Sequence, residues 1–248
     1  MRRNILITGA SSGLGAQLAR EYAARGHDLA LCARRADRLA ELRAELVARH
    51  PGSTVLTRRL DVTDYADVPV AFTELADGLG SLDRVIVNAG IGRGRPVGTG
   101  GLAANLAIAH TNFAGALAQC EAAMAAFRAQ RHGHLVVVSS VAAMRGLPGY
   151  MSAYAASKAA LATLAEGIRA ETLGGPIRVT TLYPGLISSE LNPDPSASRL
   201  IVDTETGVRA MVRAIEQEVA AACVPSWPWR PVAALMRVLP LRMVAKFI

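Results

Sequence analysis

Lysine is almost absent from this chain. Of its 27 basic residues, 25 are arginine and two are lysine, Lys158 and Lys246. Arginine serves wherever a fixed positive charge is wanted, so a lysine retained in such a background invites a chemical reason. Cysteine is scarce too: the three residues, at 32, 120 and 223, are odd in number, far apart and set in apolar surroundings. That excludes a disulfide framework and reads as reduced thiols in a cytoplasmic protein. The five histidines have no metal-ligand spacing, so no metal site is expected. No apolar run reaches the roughly 18 residues of a membrane span. The opening MRRNILITGA has too short an apolar run for a signal peptide and leads straight into a glycine turn. The arginines form no dense run and are not interleaved with aromatics, which argues against a nucleic-acid partner. The net charge of +7 leaves open attraction to phosphate-bearing ligands or an anionic membrane surface.

What is present is an alternation of strand and helix. NILIT (4–8), DLALCA (28–33), TVLTRRL (54–60), RVIVN (84–88), HLVVVSS (134–140) and IRVTTLYP (177–184) are short apolar runs of strand character. Between them lie helical patterns near 14–25, 34–47, 64–78, 102–129 and 152–173, with a last one near 205–221. Apolar strands alternating with helices predict a parallel sheet covered on both faces. The fold class is therefore α/β: a single doubly wound Rossmann domain over residues 1–222, followed by an apolar tail of Trp, Pro and Arg over 223–248.

TGASSGLG (8–15) joins the first strand to the first helix. Gly9 permits a tight turn, Gly13 lets backbone approach a pyrophosphate, and Gly15 lets the helix pack close to the sheet. The helix N-terminus then presents N–H groups and a positive dipole end to phosphate, and Ser11 and Ser12 add hydroxyls. Gly9, Ser11, Ser12, Gly13, Leu14 and Gly15 are thus the expected phosphate-binding turn. An NAD-selective fold usually ends its second strand in an acidic residue that holds the ribose 2′-hydroxyl. Here Ala33 is followed by Arg34 and Arg35, whose guanidiniums suit a 2′-phosphate. NADP(H) is therefore expected in preference to NAD(H).

TGASSGLG, LDVTD (60–64), NAG (88–90), Asn112, the SS at 139–140, YAASK (154–158) and YPG (183–185) occur in that order. In this the chain resembles the classical short-chain dehydrogenase/reductase family, from about residue 4 to residue 220. The resemblance implies that Asp61 and Val62 contact the adenine and that Asn88, Ala89 and Gly90 line the central cofactor groove. It implies Tyr154 as catalytic acid/base, Lys158 as its partner and Ser140 as the second hydroxyl on the substrate oxygen, with Asn112 completing a proton relay. Pro184, Gly185 and Ile187 then lie along the nicotinamide, with Ser189 where the family commonly has Thr. One departure stands out. Ser140 and Tyr154 are 14 residues apart where the family usually has 13, which places an extra residue in the loop RGLPGYMSA and leaves Ser139 as a lesser alternative to Ser140.

Four residues separate Tyr154 from Lys158, so both project from one helix face. A free phenol with a pKa of about 10 is a poor base near neutrality. An ammonium one turn away, together with a positive nicotinamide, is expected to favour the phenolate. A compact ammonium suits such a crowded face better than a guanidinium.

Three segments are candidates for the substrate side: the loop IGRGRPVGTGG (91–101) with Arg93 and Arg95, the segment 186–200 as a mobile lid, and the tail. Trp beside basic residues and an apolar stretch suggests an interfacial anchor; the other reading has the tail pack on its own domain or a neighbouring subunit and cover the pocket. Few charges surround the catalytic loop apart from Arg145, and an apolar carbonyl or alcohol is the expected substrate. The leading function is an NADP(H)-dependent carbonyl reductase. A non-catalytic dinucleotide sensor or scaffold is the alternative, and a nucleotide-sugar epimerase or dehydratase fits the Gly spacing less well. The family analogy adds a homodimer or homotetramer through the two long helices.

Overall fold

The computed structural model describes residues 2–188 and 200–244. Seven strands, β1 (Asn4–Thr8), β2 (Asp28–Ala33), β3 (Val55–Arg59), β4 (Arg84–Val87), β5 (Gly133–Val138), β6 (Ile177–Pro184) and β7 (Ala221–Val224), form one parallel sheet in the order β3-β2-β1-β4-β5-β6-β7. Every residue of β2, β4 and β5 is buried. That is why, past Asp28, Arg84 and His134 at or near their starts, these strands read as apolar runs and not as alternations.

Helices cover both faces. Successive strand side chains point to opposite sides. Ile5, Ile7, Leu29 and Leu31 meet α1 (Gly13–Ala23), α2 (Ala36–Arg49) and α7 (Thr204–Glu216) through Leu18, Leu39, Met211 and Ile215. Leu6, Ala30, Val85 and Val137 meet α3 (Asp67–Leu79), α5 (Gly115–Gln130) and α6 (Ser152–Glu171) through Phe72, Ala123, Phe127 and Leu161. The chain order reverses between β1 and β4, whose registers pair Ile7 with Ile86. In such sheets ligands bind beyond the carboxyl ends of the strands at this switch point.

Two parts of the sequence reading need correction. The last helix does not reach residue 221: α7 ends at Glu216, and Ala221–Val224 pair in parallel with Thr181–Pro184 as an edge strand. Four residues, three of them small and two of them Ala, carry no strand period, and Ala favours the helix extension. The domain boundary drawn after residue 222 falls inside this strand. The long Ala-rich stretch is also not one regular helix. It runs as α4 (Leu102–Ala109), a π-helical turn (His110–Ala114) and α5. After β7 come α8 (Ser226–Val238) and α9 (Leu241–Val244), which fold back over the carboxyl end of the sheet.

Candidate active site

The turn between β1 and α1 has the backbone that its glycines allow. Gly9 (φ 65°) and Gly13 (φ 52°) lie in the left-handed region. The Ser12 side chain does not cap α1; its hydroxyl accepts from Arg35 at 2.6 Å, and Ser11 accepts from the same guanidinium at 3.2 Å. No acidic residue lies in the first turn of α1. Arg34 and Arg35 are exposed at the end of β2. Backbone N–H groups, two hydroxyls and two guanidiniums match the chemistry of a dinucleotide's phosphates. Asp61 accepts from the Thr63 backbone at 3.0 Å and from its hydroxyl at 2.8 Å. Burial pushes its pKa up, but these bonds and the charges of Arg34 and Arg59 outweigh that and hold it below the usual value.

The β4 side of the switch point is fastened to the β1 side. Thr8 Oγ1 accepts from the backbone N–H groups of Asn88 and Ala89 at 3.1 and 3.2 Å, and Asn88 Nδ2 donates to the Thr8 carbonyl at 2.9 Å. Asn88 is thus a strap across the sheet, and Thr8, which sequence reading passed over, is its anchor.

Beyond β5 the chain turns at Ser139 and Ser140, and the two serines part. Ser139 is buried and donates to the Lys158 carbonyl at 2.8 Å, holding α6 to the sheet. The Ser140 hydroxyl is close enough to the Tyr154 phenol to lower its pKa, and its Oγ accepts from the Ala142 N–H at 3.1 Å. Lys158 Nζ donates to the Val138 carbonyl at 2.9 Å and lies 5.9 Å from the centre of the Tyr154 ring. Asn112 sits in the middle of the π-turn and is fully buried. Its Oδ1 accepts from Ile91 N–H at 2.8 Å, while Nδ2 donates to the Ile91 carbonyl at 2.9 Å and to Ser157 Oγ at 3.2 Å. Ser157 in turn donates to the Tyr154 carbonyl at 2.8 Å. A π-bulge inside an α-helix is a recurrent feature of functional sites. Here the amide it carries links the segment after NAG to the helix of YAASK. Nothing in an Ala-rich sequence marks it beforehand.

The electrostatics differ from the expectation that Lys158 pulls the phenol down. Burial raises the Tyr154 pKa above its ordinary value, opposed by the nearby Ser140 hydroxyl. Burial also lowers Lys158 to about 8. The same desolvation works against both charges, and the ammonium is turned toward a carbonyl. The sign for stability follows. The folded protein releases the Lys158 proton near pH 8, while the unfolded chain keeps it to about 10.4. Between those values the unfolded state binds more protons, so stability rises with pH. Denaturant titration of the wild type and Lys158→Met across this window is expected to show a relative gain of about 3 kcal/mol in the wild type alone. Parallel curves for the two proteins would mean that the lysine is not desolvated.

The substrate side is roofed by the tail. Trp229 is buried with Val141 and Ala233, against Met144, Tyr183 and Leu186. Its indole lies on the Gly185 backbone: a Cβ there would come within 2.1 Å of the ring. Val244 is buried with Ala142, Leu147 and Ala155, against Met151 and Tyr154 itself. Arg145 donates to the Leu239 carbonyl at 3.4 Å. The inner face of the tail thus packs on its own domain, beside Tyr154. The loop after NAG closes the opposite side, where Gly94 donates to the Tyr150 carbonyl at 3.1 Å and the Arg93 guanidinium lies 6.0 Å from the Tyr150 ring centre. Pro184, Gly185 and the buried Ile187 line the way out of β6. Ser189 and most of the expected lid lie outside the described residues.

The family model for short chain dehydrogenases matches residues 3–199. An uncharacterized oxidoreductase of Mycobacterium tuberculosis is 53% identical over 246 residues, 99% of this chain and 97% of that one. The 11-beta-hydroxysteroid dehydrogenase 1A of Arabidopsis thaliana is 43% identical over 189 residues, 75% of this chain and 53% of its own. Among solved structures, an NADPH-dependent 3-quinuclidinone reductase of Rhodotorula rubra matches with a TM-score of 0.79 at 25% identity, over 88% of each chain. A Gly turn at the switch point of a doubly wound sheet, a Ser, Tyr and Lys gathered beside it, and these likenesses agree: the chain belongs to the short-chain dehydrogenase family and is an oxidoreductase.

Proposed function

We propose that this protein is an NADP(H)-dependent reductase that interconverts a carbonyl and an alcohol on an apolar, lipid-like substrate, with Tyr154 as the acid/base. The observation that carries this reading is the meeting of Ser140, Tyr154 and Lys158 at the carboxyl edge of the sheet, next to the phosphate turn. When bound, the nicotinamide supplies or accepts the hydride. The chain's own groups handle the proton. In reduction the Tyr154 hydroxyl gives its proton to the substrate oxygen, and the Ser140 hydroxyl steadies that oxygen and the phenol. Lys158 sits one turn away, with a pKa of about 8 that places its charge change close to neutral pH. Asn112, fixed by Ile91 and Ser157, holds the helix of the tyrosine against the sheet. A pure dinucleotide sensor would need only the Gly turn, not this set.

Substrate class rests on the lining. Leu147 and Met151 pack with Tyr154, Val141, Met144, Leu186 and Trp229 form the apolar cluster under the tail, and one relative is named as a hydroxysteroid dehydrogenase. The cofactor preference rests on Arg34 and Arg35 at the end of a β2 strand that has no acidic residue there. Homodimer or homotetramer assembly through α4–α5 and α6, a cytoplasmic setting and peripheral membrane contact through the tail complete the reading.

Two experiments test it. NADPH oxidation by the purified protein is measured against aldehydes and ketones of graded chain length, and turnover is expected to rise with chain length. A flat or absent response across the panel would overturn the lipid-carbonyl reading. Second, Arg34→Ala/Arg35→Ala is expected to raise the KM for NADPH about 100-fold with that for NADH little changed, since each charge-assisted bond contributes about 1.5–3 kcal/mol. Equal losses for the two cofactors would show that the arginines do not read the 2′-phosphate.

A further inference from the structure

Residues 219–248 hold Arg230, Arg237, Arg242 and Lys246 and no Asp or Glu. In the same segment α8 is apolar on two faces. Its inner face, Trp229, Ala233 and Met236, is taken by the domain. Its outer face is not: Trp227 and Val238 are each 77% exposed, Leu235 51%, and Leu241 just beyond is 57% exposed. Pro231, Ala234, Leu235 and Val238 recur at the spacing of one helical stripe, with exposed Arg230 and Arg237 along its edge. Large exposed apolar side chains gathered in one short segment mark a surface meant for a partner.

We propose that the outer face of α8–α9 seats this enzyme on an anionic lipid bilayer, so that the roof of the catalytic crevice is the membrane-facing element. Charge chooses this occupant over a second copy of the chain. A two-fold contact sets a face against itself and would bring the arginines opposite one another with no acid in the segment to offset them. An anionic leaflet attracts every one of them, while the stripe buries at the headgroup boundary. None of the described helices is long and apolar enough to cross a membrane, so the tail lies on the surface and does not span it. Its inner face touches Tyr154 through Val244 and carries Trp229 over Gly185. An apolar substrate leaving the bilayer would therefore meet the crevice without passing through water. That last step rests on the functional reading above; the docking does not.

The test is vesicle sedimentation of the full chain with phosphatidylcholine alone and with about 30% phosphatidylglycerol added. Binding is expected to be about 100-fold tighter on the anionic vesicles, from three surface arginines, and to weaken as salt is raised. Both tryptophans lie in the tail, so the intrinsic emission should shift to the blue on binding. Leu235→Glu/Val238→Glu changes only exposed positions and is expected to abolish both effects with circular dichroism and Tm unchanged. No preference for anionic vesicles, or binding unaffected by the double variant, would overturn the proposal. So would a fall in particle mass caused by the variant without vesicles, which would assign the face to a second copy. Docking without any carbonyl reduction would sink the functional reading and leave the membrane assignment standing.

Discussion

Tyr154→Phe is expected to lower kcat by about 10³-fold or more while NADPH binding and Tm stay near the wild-type values. Phenylalanine keeps the ring that packs with Ala155, Leu147 and Val244 and removes only the hydroxyl. That hydroxyl is the group whose pKa the Ser140 side chain lowers. General acid–base catalysis by one positioned group contributes roughly 10²–10⁴-fold. Water is poorly placed to substitute, because the tail covers the tyrosine. The Ser140 hydroxyl is half-buried and keeps its bond from the Ala142 N–H in the variant. Steady-state NADPH oxidation and fluorescence titration of the cofactor separate the two effects. Turnover close to wild type would remove Tyr154 from the proton path, whereas loss of cofactor binding along with turnover would show that the ring has a structural role instead.

Gly15→Ala is expected to destabilise the protein by about 3 kcal/mol or more and to abolish cofactor binding, since overpacking a filled site forces backbone to move. A Cβ at this position would lie 2.3 Å from the Gly9 carbonyl oxygen and 2.8 Å from Asn88 Nδ2. Neither neighbour gives way easily. Gly9 is backbone in a left-handed turn, and Asn88 is tied to Thr8. Gly167→Ala supplies the contrast: it lies within α6, and nothing stands within 4 Å of a Cβ there. That variant is expected to be neutral or to gain about 0.5–1 kcal/mol from helix propensity alone. Thermal unfolding of both variants decides the matter. Equal Tm values for Gly15→Ala and the wild type would mean that α1 shifts along the sheet without loss and that the turn is not close-packed.

Much of this was legible beforehand because it is local. Strands buried on both faces are mostly apolar, so β1, β2 and β5 are visible as runs, and β6 is marked by its β-branched residues. The Gly turn and YAASK are contiguous, and a spacing of four on a helix sets Tyr154 beside Lys158 whatever surrounds them. The resemblance in motif order carried Ser140, Asn112 and the YPG segment with them.

By itself, then, the sequence determined the layer architecture from its periodicity, a Gly turn at the first strand–helix joint, and the placing of Tyr154 one helical turn from Lys158. Only the tertiary structure decided which serine faces the phenol, because Ser139 is claimed by the Lys158 carbonyl across two elements. It alone decided that Asn112 sits in a π-turn anchored on Ile91, that Ala221–Val224 join the sheet, and that burial moves the phenol up and the ammonium down. It also decided that the tail roofs the site with one face and leaves the other bare. Each of these depends on contacts between residues distant in the chain, and a helix that is apolar on two faces does not announce which of them the domain will take.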